Sequence, residues 1–312
     1  MSVLKIRDLN ISHGDTPLVT DVSLDLAGGE RLGIIGESGS GKTLTALAML
    51  ALLPATLHAT GQVLLQNKDL TRISERHRCI LRGNTIAMVF QEPMTALNPT
   101  MRVGKQIAEA TGLPRAAARD KALELMKRVE FTDPAGQARC YPHQLSGGQC
   151  QRIMLAMAIA HDPAVIVADE PTTALDARVQ QQMLELMSRL VTEEGSALIL
   201  ISHDLAVVSG MCERLVVMYG GRIVESGSTE QVLTRPRHRY TAGLVATSGA
   251  ISLDSDHTRA ELPSIPGQVP AAGAFPAGCP FRNRCTHAMG KCETVPSLKQ
   301  LDDHLAACWN PA

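Results

Sequence analysis

Gly36-Glu37-Ser38-Gly39-Ser40-Gly41-Lys42-Thr43 reads G-x-x-x-x-G-K-T, the spacing of a phosphate-binding P-loop. Its flanks are the ones such a loop needs. Arg31-Leu32-Gly33-Ile34-Ile35 is a short apolar run of strand character, and Leu44 to Leu53 is rich in good helix formers and stops at Pro54. Glycines let the backbone curl around a phosphate with no Cβ in the way, so the amide N–H groups converge on the anion. The start of the following helix adds about half a positive charge. In such a loop Lys42 reaches the β- and γ-phosphates and the Thr43 hydroxyl ligates Mg²⁺.

Composition bounds what surrounds the loop. Of the 312 residues 45% are apolar, enough for a core, but only 3% are aromatic, so Leu, Val, Ile, Met and Ala must carry it. A net charge of −1 removes the simplest argument for a nucleic-acid binder, and no nucleic-acid partner is expected. No apolar run approaches the roughly 20 residues of a membrane span. Met1-Ser2-Val3-Leu4-Lys5-Ile6 lacks the apolar core of a signal peptide. The expectation is a cytoplasmic protein that meets a membrane only through a partner.

Along the chain, the segment to about Asp25 reads as short strands, with Val22 and Leu24 alternating with polar neighbours, and 61–66 reads as another. The character turns helical from about 92 to 163, where Leu123, Met126 and Val129 recur at helical spacing. Residues 164–168 and 197–201 are continuous apolar runs suited to buried strands, and Asp176 is placed to cap a helix ending at Gly195. Gly220-Gly221 between two apolar runs signals a hairpin. The reading is an α/β fold: a P-loop ATPase core with a mixed sheet, an antiparallel β subdomain, an inserted helical subdomain and a small irregular cysteine-containing extension. The domains are 1–235 and 236–312, and 251–275 reads as a linker or irregular arm.

The second half of the chain narrows the chemistry. Val165-Ile166-Val167-Ala168-Asp169 is an apolar strand ending in a carboxylate, the Walker B pattern, suited to holding Mg²⁺. Glu170 follows, where a carboxylate can polarise water as a general base. His203, after the strand at 198–202, stands where an imidazole can reach a γ-phosphate. Gln91 offers a neutral amide for Mg²⁺ or the attacking water. Leu145-Ser146-Gly147-Gly148-Gln149 precedes a helical run and makes a second phosphate-binding device. Two such devices in one chain point to a dimer, in which each copy closes the other's site.

The set resembles an ATP-binding cassette ATPase across roughly residues 3–235. LSGGQ at 145–149 is its most specific element, and the order and spacing of Gly36–Thr43, Gln91, Asp169, Glu170, Ala174-Leu175-Asp176 and His203 all match. The resemblance implies a head-to-tail pair of cassettes with ATP between them. Gly36, Glu37, Ser38, Gly39, Ser40, Gly41, Lys42 and Thr43 would bind ATP in cis, and Ser146, Gly147, Gly148 and Gln149 would act in trans. Thr43, Gln91 and Asp169 would hold Mg²⁺, Glu170 would be the base, His203 the γ-phosphate sensor and Asp176 the coupler of the two sites. The family stacks adenine on an aromatic near the N-terminus; here the position falls on His13.

Phe90-Gln91-Glu92-Pro93-Met94-Thr95-Ala96-Leu97-Asn98-Pro99, Ile265-Pro266-Gly267-Gln268-Val269-Pro270 and Gly278-Cys279-Pro280-Phe281-Arg282-Asn283-Arg284-Cys285 resemble the oligopeptide, dipeptide and nickel importer subfamily. The implied role is the ATPase of an importer at the cytoplasmic face of the plasma membrane. Its partners would be two permeases, a second ATPase (copy or paralogue) and, indirectly, a substrate-binding protein. The alternatives are a non-transport cassette ATPase of DNA repair or translation, and a small-molecule kinase, which would leave LSGGQ unexplained.

Cys279, Cys285, Cys292 and Cys308 crowd the tail. Four thiolates can hold a [4Fe–4S] cluster or zinc, and a metal would supply a core to a Pro/Gly-rich tail. The resemblance favours the cluster; reduced thiols are the remaining alternative. The other four cysteines read as small buried hydrophobes, and Arg235-Pro236-Arg237-His238-Arg239 as a solvated connection.

Overall fold

The computed structural model describes residues 2–173, 175–249 and 264–312. The chain opens with β1 (Ser2–His13), β2 (Thr16–Ala27) and β3 (Arg31–Ile35), then α1 (Lys42–Met49), β4 (His58–Leu65) and β5 (Lys68–Asp69). A mostly helical run follows: α2 (Glu75–Leu81), β6 (Ile86–Val89), α3 (Pro93–Ala96), α4 (Val103–Ala110), α5 (Arg115–Arg128), α6 (Pro134–Gln137) and α7 (Gly147–Ala158). Next come β7 (Val165–Asp169), α8 (Ala177–Glu194), β8 (Ala197–Ser202), α9 (Leu205–Met211), β9 (Arg214–Tyr219) and β10 (Arg222–Ser228). The last elements are α10 (Thr229–Thr234), α11 (Arg239–Thr247), β11 (Lys299–Leu301) and β12 (His304–Ala306).

These elements form two compact units. One comprises Met1–Leu4, Leu26–Glu30 and Arg72–Ile199; the other comprises Lys5–Asp25, Arg31–Thr71 and Leu200–Ala312. In the first, β6 and β7 pair in parallel with Val89 opposite Ala168. All five residues of β7 are buried, as a continuous apolar run requires. The helices α4, α5 and α7 pack on one another. The buried face of α5 is Ala118, Ala122, Leu125 and Met126, continued by Val129. Leu123, expected on that face, instead lines a groove with residues of α4.

The second unit holds β3 parallel to β9, and β9 antiparallel to β10 through the Gly220-Gly221 turn. Both turn residues have positive φ, 55° and 74°, the conformation a twisted two-residue hairpin takes. Beside β10 lies β12, then β11, both antiparallel to their neighbours.

Several expectations are corrected. The N-terminal strands are 12 residues long, not short, and each largely alternates buried apolar side chains with more accessible ones. Helix α1 ends at Met49, not Leu53. Ala51 turns to φ 51° and the Leu52 N–H folds back on the Leu47 carbonyl, so the chain leaves the helix before Pro54 acts. The run Arg235–Arg239 is tied down rather than solvated. Arg235 pairs with Asp303 and Arg237 with Asp302, while Arg239 donates to the carbonyls of Asn310 and Pro311. The backbone amides of Arg237 and His238 donate to the fully buried Glu225 carboxylate, which also meets His304 Nε2 at 2.6 Å. Of the expected arm at 251–275, residues 251–263 lie outside the described residues, and 264–275 carry no helix or strand.

Candidate functional site

The phosphate loop lies between β3 and α1, within the second unit. A Cβ on Gly36, whose φ is 155°, would sit 2.2 Å from the Met218 carbonyl oxygen and 2.7 Å from Ser40 Oγ, so only glycine fits. Gly41, at φ 96°, is the N-cap of α1. Lys42 is 6% exposed, and its Nζ donates to the carbonyls of Gly36 (2.7 Å) and Glu37 (3.0 Å). Those bonds satisfy a buried ammonium across the curl of the loop. Thr43 is exposed at the first turn of α1. The Gly221 N–H donates to the Ser40 carbonyl at 3.2 Å, tying the loop to the β9–β10 turn. His203, after β8, and His13, at the end of β1, are both exposed.

Two residues that sequence reasoning did not single out act on this loop. The Glu37 backbone N–H donates to Tyr240 Oη at 2.8 Å, and Arg284 grips the Glu37 carboxylate. The hydrogen bond with Glu37 raises the Arg284 pKa further above its ordinary range, and burial raises that of Tyr240. Arg284 lies inside the Cys279–Cys285 stretch, whose cysteines drew attention to metals instead. No local signal connects it to a loop 247 residues away.

In the first unit, the β6–β7 register carries the segments after both strands to one edge of the pair. There Gln91 Nε2 donates to Glu170 Oε2 at 3.0 Å, and the Thr173 hydroxyl donates to the same oxygen at 3.0 Å. Glu170 has φ 44°, left-handed for a residue with a side chain, so its placement costs backbone strain. Asp169, at the end of β7, is 2% exposed.

The Ser-Gly-Gly corner is the N-terminus of α7. Ser146 Oγ accepts from the Gln149 N–H at 3.2 Å, and Gln149 Oε1 accepts from the Ser146 N–H at 2.9 Å, a reciprocal capping box. A Cβ on Gly148 would sit 2.7 Å from Val179 Cγ1, whereas one on Gly147 would meet Leu175 Cδ2 only at 3.8 Å. Asp176 caps α8 by accepting from the Val179 N–H at 3.0 Å, and Gly195 ends that helix at φ 64°. Ala174, beside Leu175 and Asp176 in the expected coupling stretch, lies outside the described residues.

The metal expectation for the tail cysteines finds no support. Among the described residues no group of three or more His, Cys, Asp or Glu side chains is placed to hold a metal ion. The four thiols are near enough to feel one another's charge. Burial pushes Cys279 up to about 11, and Cys292, Cys308 and Cys285 push it the same way. Burial also raises Cys285 and Cys308. The premise of a coreless tail fails too, because Phe275 and Phe281 pack against Tyr219 and β12 pairs with β10. Of the other four cysteines, Cys150 and Cys212 are buried, Cys140 is intermediate and Cys79 is exposed.

A strand-to-helix glycine loop in one unit, and a buried strand ending in paired carboxylates with a capped Ser-Gly-Gly helix in the other, are the parts of a P-loop nucleotide-hydrolysing cassette. Comparison with known proteins takes this further. Residues 19–173 match the ABC transporter family, and residues 224–292 match the oligopeptide/dipeptide transporter C-terminal region. The chain is 42% identical over 321 residues to the probable D,D-dipeptide transport ATP-binding protein DdpD of Escherichia coli, covering 99% of this chain and 97% of that one. It is 40% identical over 318 residues to the oligopeptide transport ATP-binding protein OppD of Salmonella typhimurium, covering 99% and 94%. Among solved structures, a dimeric ATP-binding cassette in a post-hydrolysis state bound to ADP and Pi is similar at TM-score 0.64. That match has 26% identity and covers 72% of this chain and 98% of the other. The chain belongs to the ABC transporter family, as an ATP-hydrolysing cassette subunit that carries the oligopeptide/dipeptide transporter C-terminal region. Among the described residues no helix is long and apolar enough to cross a membrane.

Proposed function

We propose that the chain powers the import of di- or oligopeptides through two partner permeases, working as one of a pair of cassettes at the cytoplasmic face of the membrane. The observation that carries this reading is the alignment with peptide-transport ATP-binding proteins over 99% of the chain, extension included. The relatives' names favour peptides over nickel. In this reading 1–235 is the cassette, with a helical part at about 92–163, and 236–312 is the transporter-specific extension.

The loop amides between Ser38 and Gly41 and the α1 N-terminus take the phosphates, while the Glu37 N–H stays on Tyr240 and Lys42 turns from the carbonyls of its own loop to the ligand. Glu170 accepts a proton from the attacking water once Gln91 releases it. Ser146 and Gly148 serve the partner cassette's nucleotide, Asp176 links the two sites, His203 reads the γ-phosphate and His13 lies against the base. Thr43, Gln91 and Asp169 offer oxygen donors of the kind a hard divalent cation takes. A Mg²⁺ held by such donors would supply neutralisation of phosphate charge. An iron–sulfur or zinc centre in the tail is left out of this reading, because no metal-holding group of side chains supports it among the described residues.

The experiment is co-expression with the neighbouring permease genes, reconstitution in liposomes, and measurement of ATP hydrolysis with and without peptide-loaded binding protein. Stimulation together with peptide uptake is expected. Hydrolysis indifferent to permeases and peptide would rule the reading out.

A further inference from the structure

The second residue of the phosphate loop is a carboxylic acid. Glu37 stands in a motif built to receive a polyphosphate, so its charge opposes the ligand unless something cancels it. The C-terminal extension supplies the cancellation. Arg284 Nη1 donates to Glu37 Oε2 at 2.5 Å and Nη2 to Oε1 at 3.1 Å, a bidentate pair. The guanidinium is itself aimed: Nε donates to the Pro266 carbonyl at 2.8 Å, and Nη1 reaches Tyr219 Oη at 3.3 Å. The Arg284 side chain is 6% exposed and that of Glu37 27%, so the pair is largely shielded from solvent screening.

Tyr240 acts on the same residue through the backbone. Its hydroxyl takes the Glu37 N–H, so that amide faces the extension. The sequence has four Phe, three Tyr and one Trp, and four of these eight gather here as Tyr219, Tyr240, Phe275 and Phe281. A further route runs through the hairpin. A Cβ on Gly220 would lie 2.8 Å from Pro280 Cβ, and the adjoining Gly221 N–H holds the Ser40 carbonyl.

We propose that Arg284 and Tyr240 are positioning residues of the nucleotide site: they neutralise Glu37 and fix its peptide, so that the loop accepts the phosphates of ATP. The proposal rests on the ATP-binding reading of the loop. It makes the extension part of the nucleotide-binding apparatus as well as a transporter-specific appendage. Lysine at 284 could supply the charge but not the two-point grip that sets the carboxylate's direction.

The test is equilibrium binding of ATP to the full chain. Arg284→Met is expected to weaken binding roughly tenfold, by stranding a carboxylate beside the phosphates, and Tyr240→Phe roughly threefold. Adding Glu37→Gln to Arg284→Met is expected to bring affinity back to within about threefold of the original, because the repulsive charge is gone. A merely structural arginine would not be rescued by deleting its partner. Unchanged affinity in both single variants overturns the proposal, as does the absence of recovery in the double variant. Should Arg284→Met fail to fold, Tyr240→Phe, which keeps the ring packing, decides alone. If the unaltered chain does not bind ATP, or Lys42→Ala binds it equally well, the ATP-binding reading of the loop fails instead.

Discussion

Gln91 and Glu170, 79 residues apart, share a hydrogen bond of 3.0 Å between the amide Nε2 and the carboxylate Oε2. Because the Thr173 hydroxyl donates to the same oxygen, the carboxylate is both oriented and restrained. Two donors fill the lone pairs of that oxygen, which an attacking water would need for its proton. Activating water therefore goes with loosening this contact, which suits a polar side chain on the exposed stretch after β6.

Glu170→Gln should retain ATP binding and lose turnover by about 100-fold or more, the scale of a general base. Nucleotide binding and phosphate release, measured on the same preparation, separate the two. Near-normal hydrolysis would remove Glu170 from the role.

Ser146→Ala deletes the hydroxyl of the capping box and should cost about 1 kcal/mol in chemical denaturation. Gln149→Ala removes the reciprocal bond to the Ser146 N–H and should cost a similar amount. If Ser146 also serves the partner's nucleotide, its variant loses more turnover than the Gln149 variant at equal stability. Equal losses in both assays would confine Ser146 to its helix.

Gly148→Ala places a Cβ 2.7 Å from Val179 Cγ1, so the start of α7 must shift against α8. The expected cost is about 1–3 kcal/mol. Val179→Ala in the same chain should recover most of it, because the obstruction is one methyl group. Thermal melting of the four proteins reads the coupling, and simple additivity would show that the space at this corner is not the constraint.

Acid should loosen the extension through His238. The ring is 1% exposed, and burial pushes its pKa from 6.5 down to about 3. Its Nδ1 also accepts the Tyr240 N–H, a bond that the protonated ring cannot take. The unfolded chain therefore binds a proton that the folded one refuses. The stability is complete above pH 6.5 and lost as pH falls toward about 3, by up to about 1.4 kcal/mol per pH unit. His238→Asn keeps a capping acceptor and does not titrate, so its stability should fall less steeply between pH 6 and pH 4. Parallel pH profiles would assign the acid loss elsewhere.

What could be read directly from the chain was local. The P-loop curl, the helix start at Ser-Gly-Gly, the Asp176 cap, the Gly195 stop and the Gly220-Gly221 hairpin each close within a few residues, so residue type and spacing are enough to specify them. The alternation or continuity of apolar residues likewise sorted strands from helices. The tail misled because its Pro and Gly content hid the partners that supply its core: β12 finds β10, and Phe281 finds Tyr219. Only the tertiary structure decided that Arg284 meets Glu37 across 247 residues and that Gln91 meets Glu170 across 79. Such pairings follow from strand register and from which aromatic faces pack together. Those are set by the sum of many weak contacts over the whole unit, and no single stretch of sequence carries that sum.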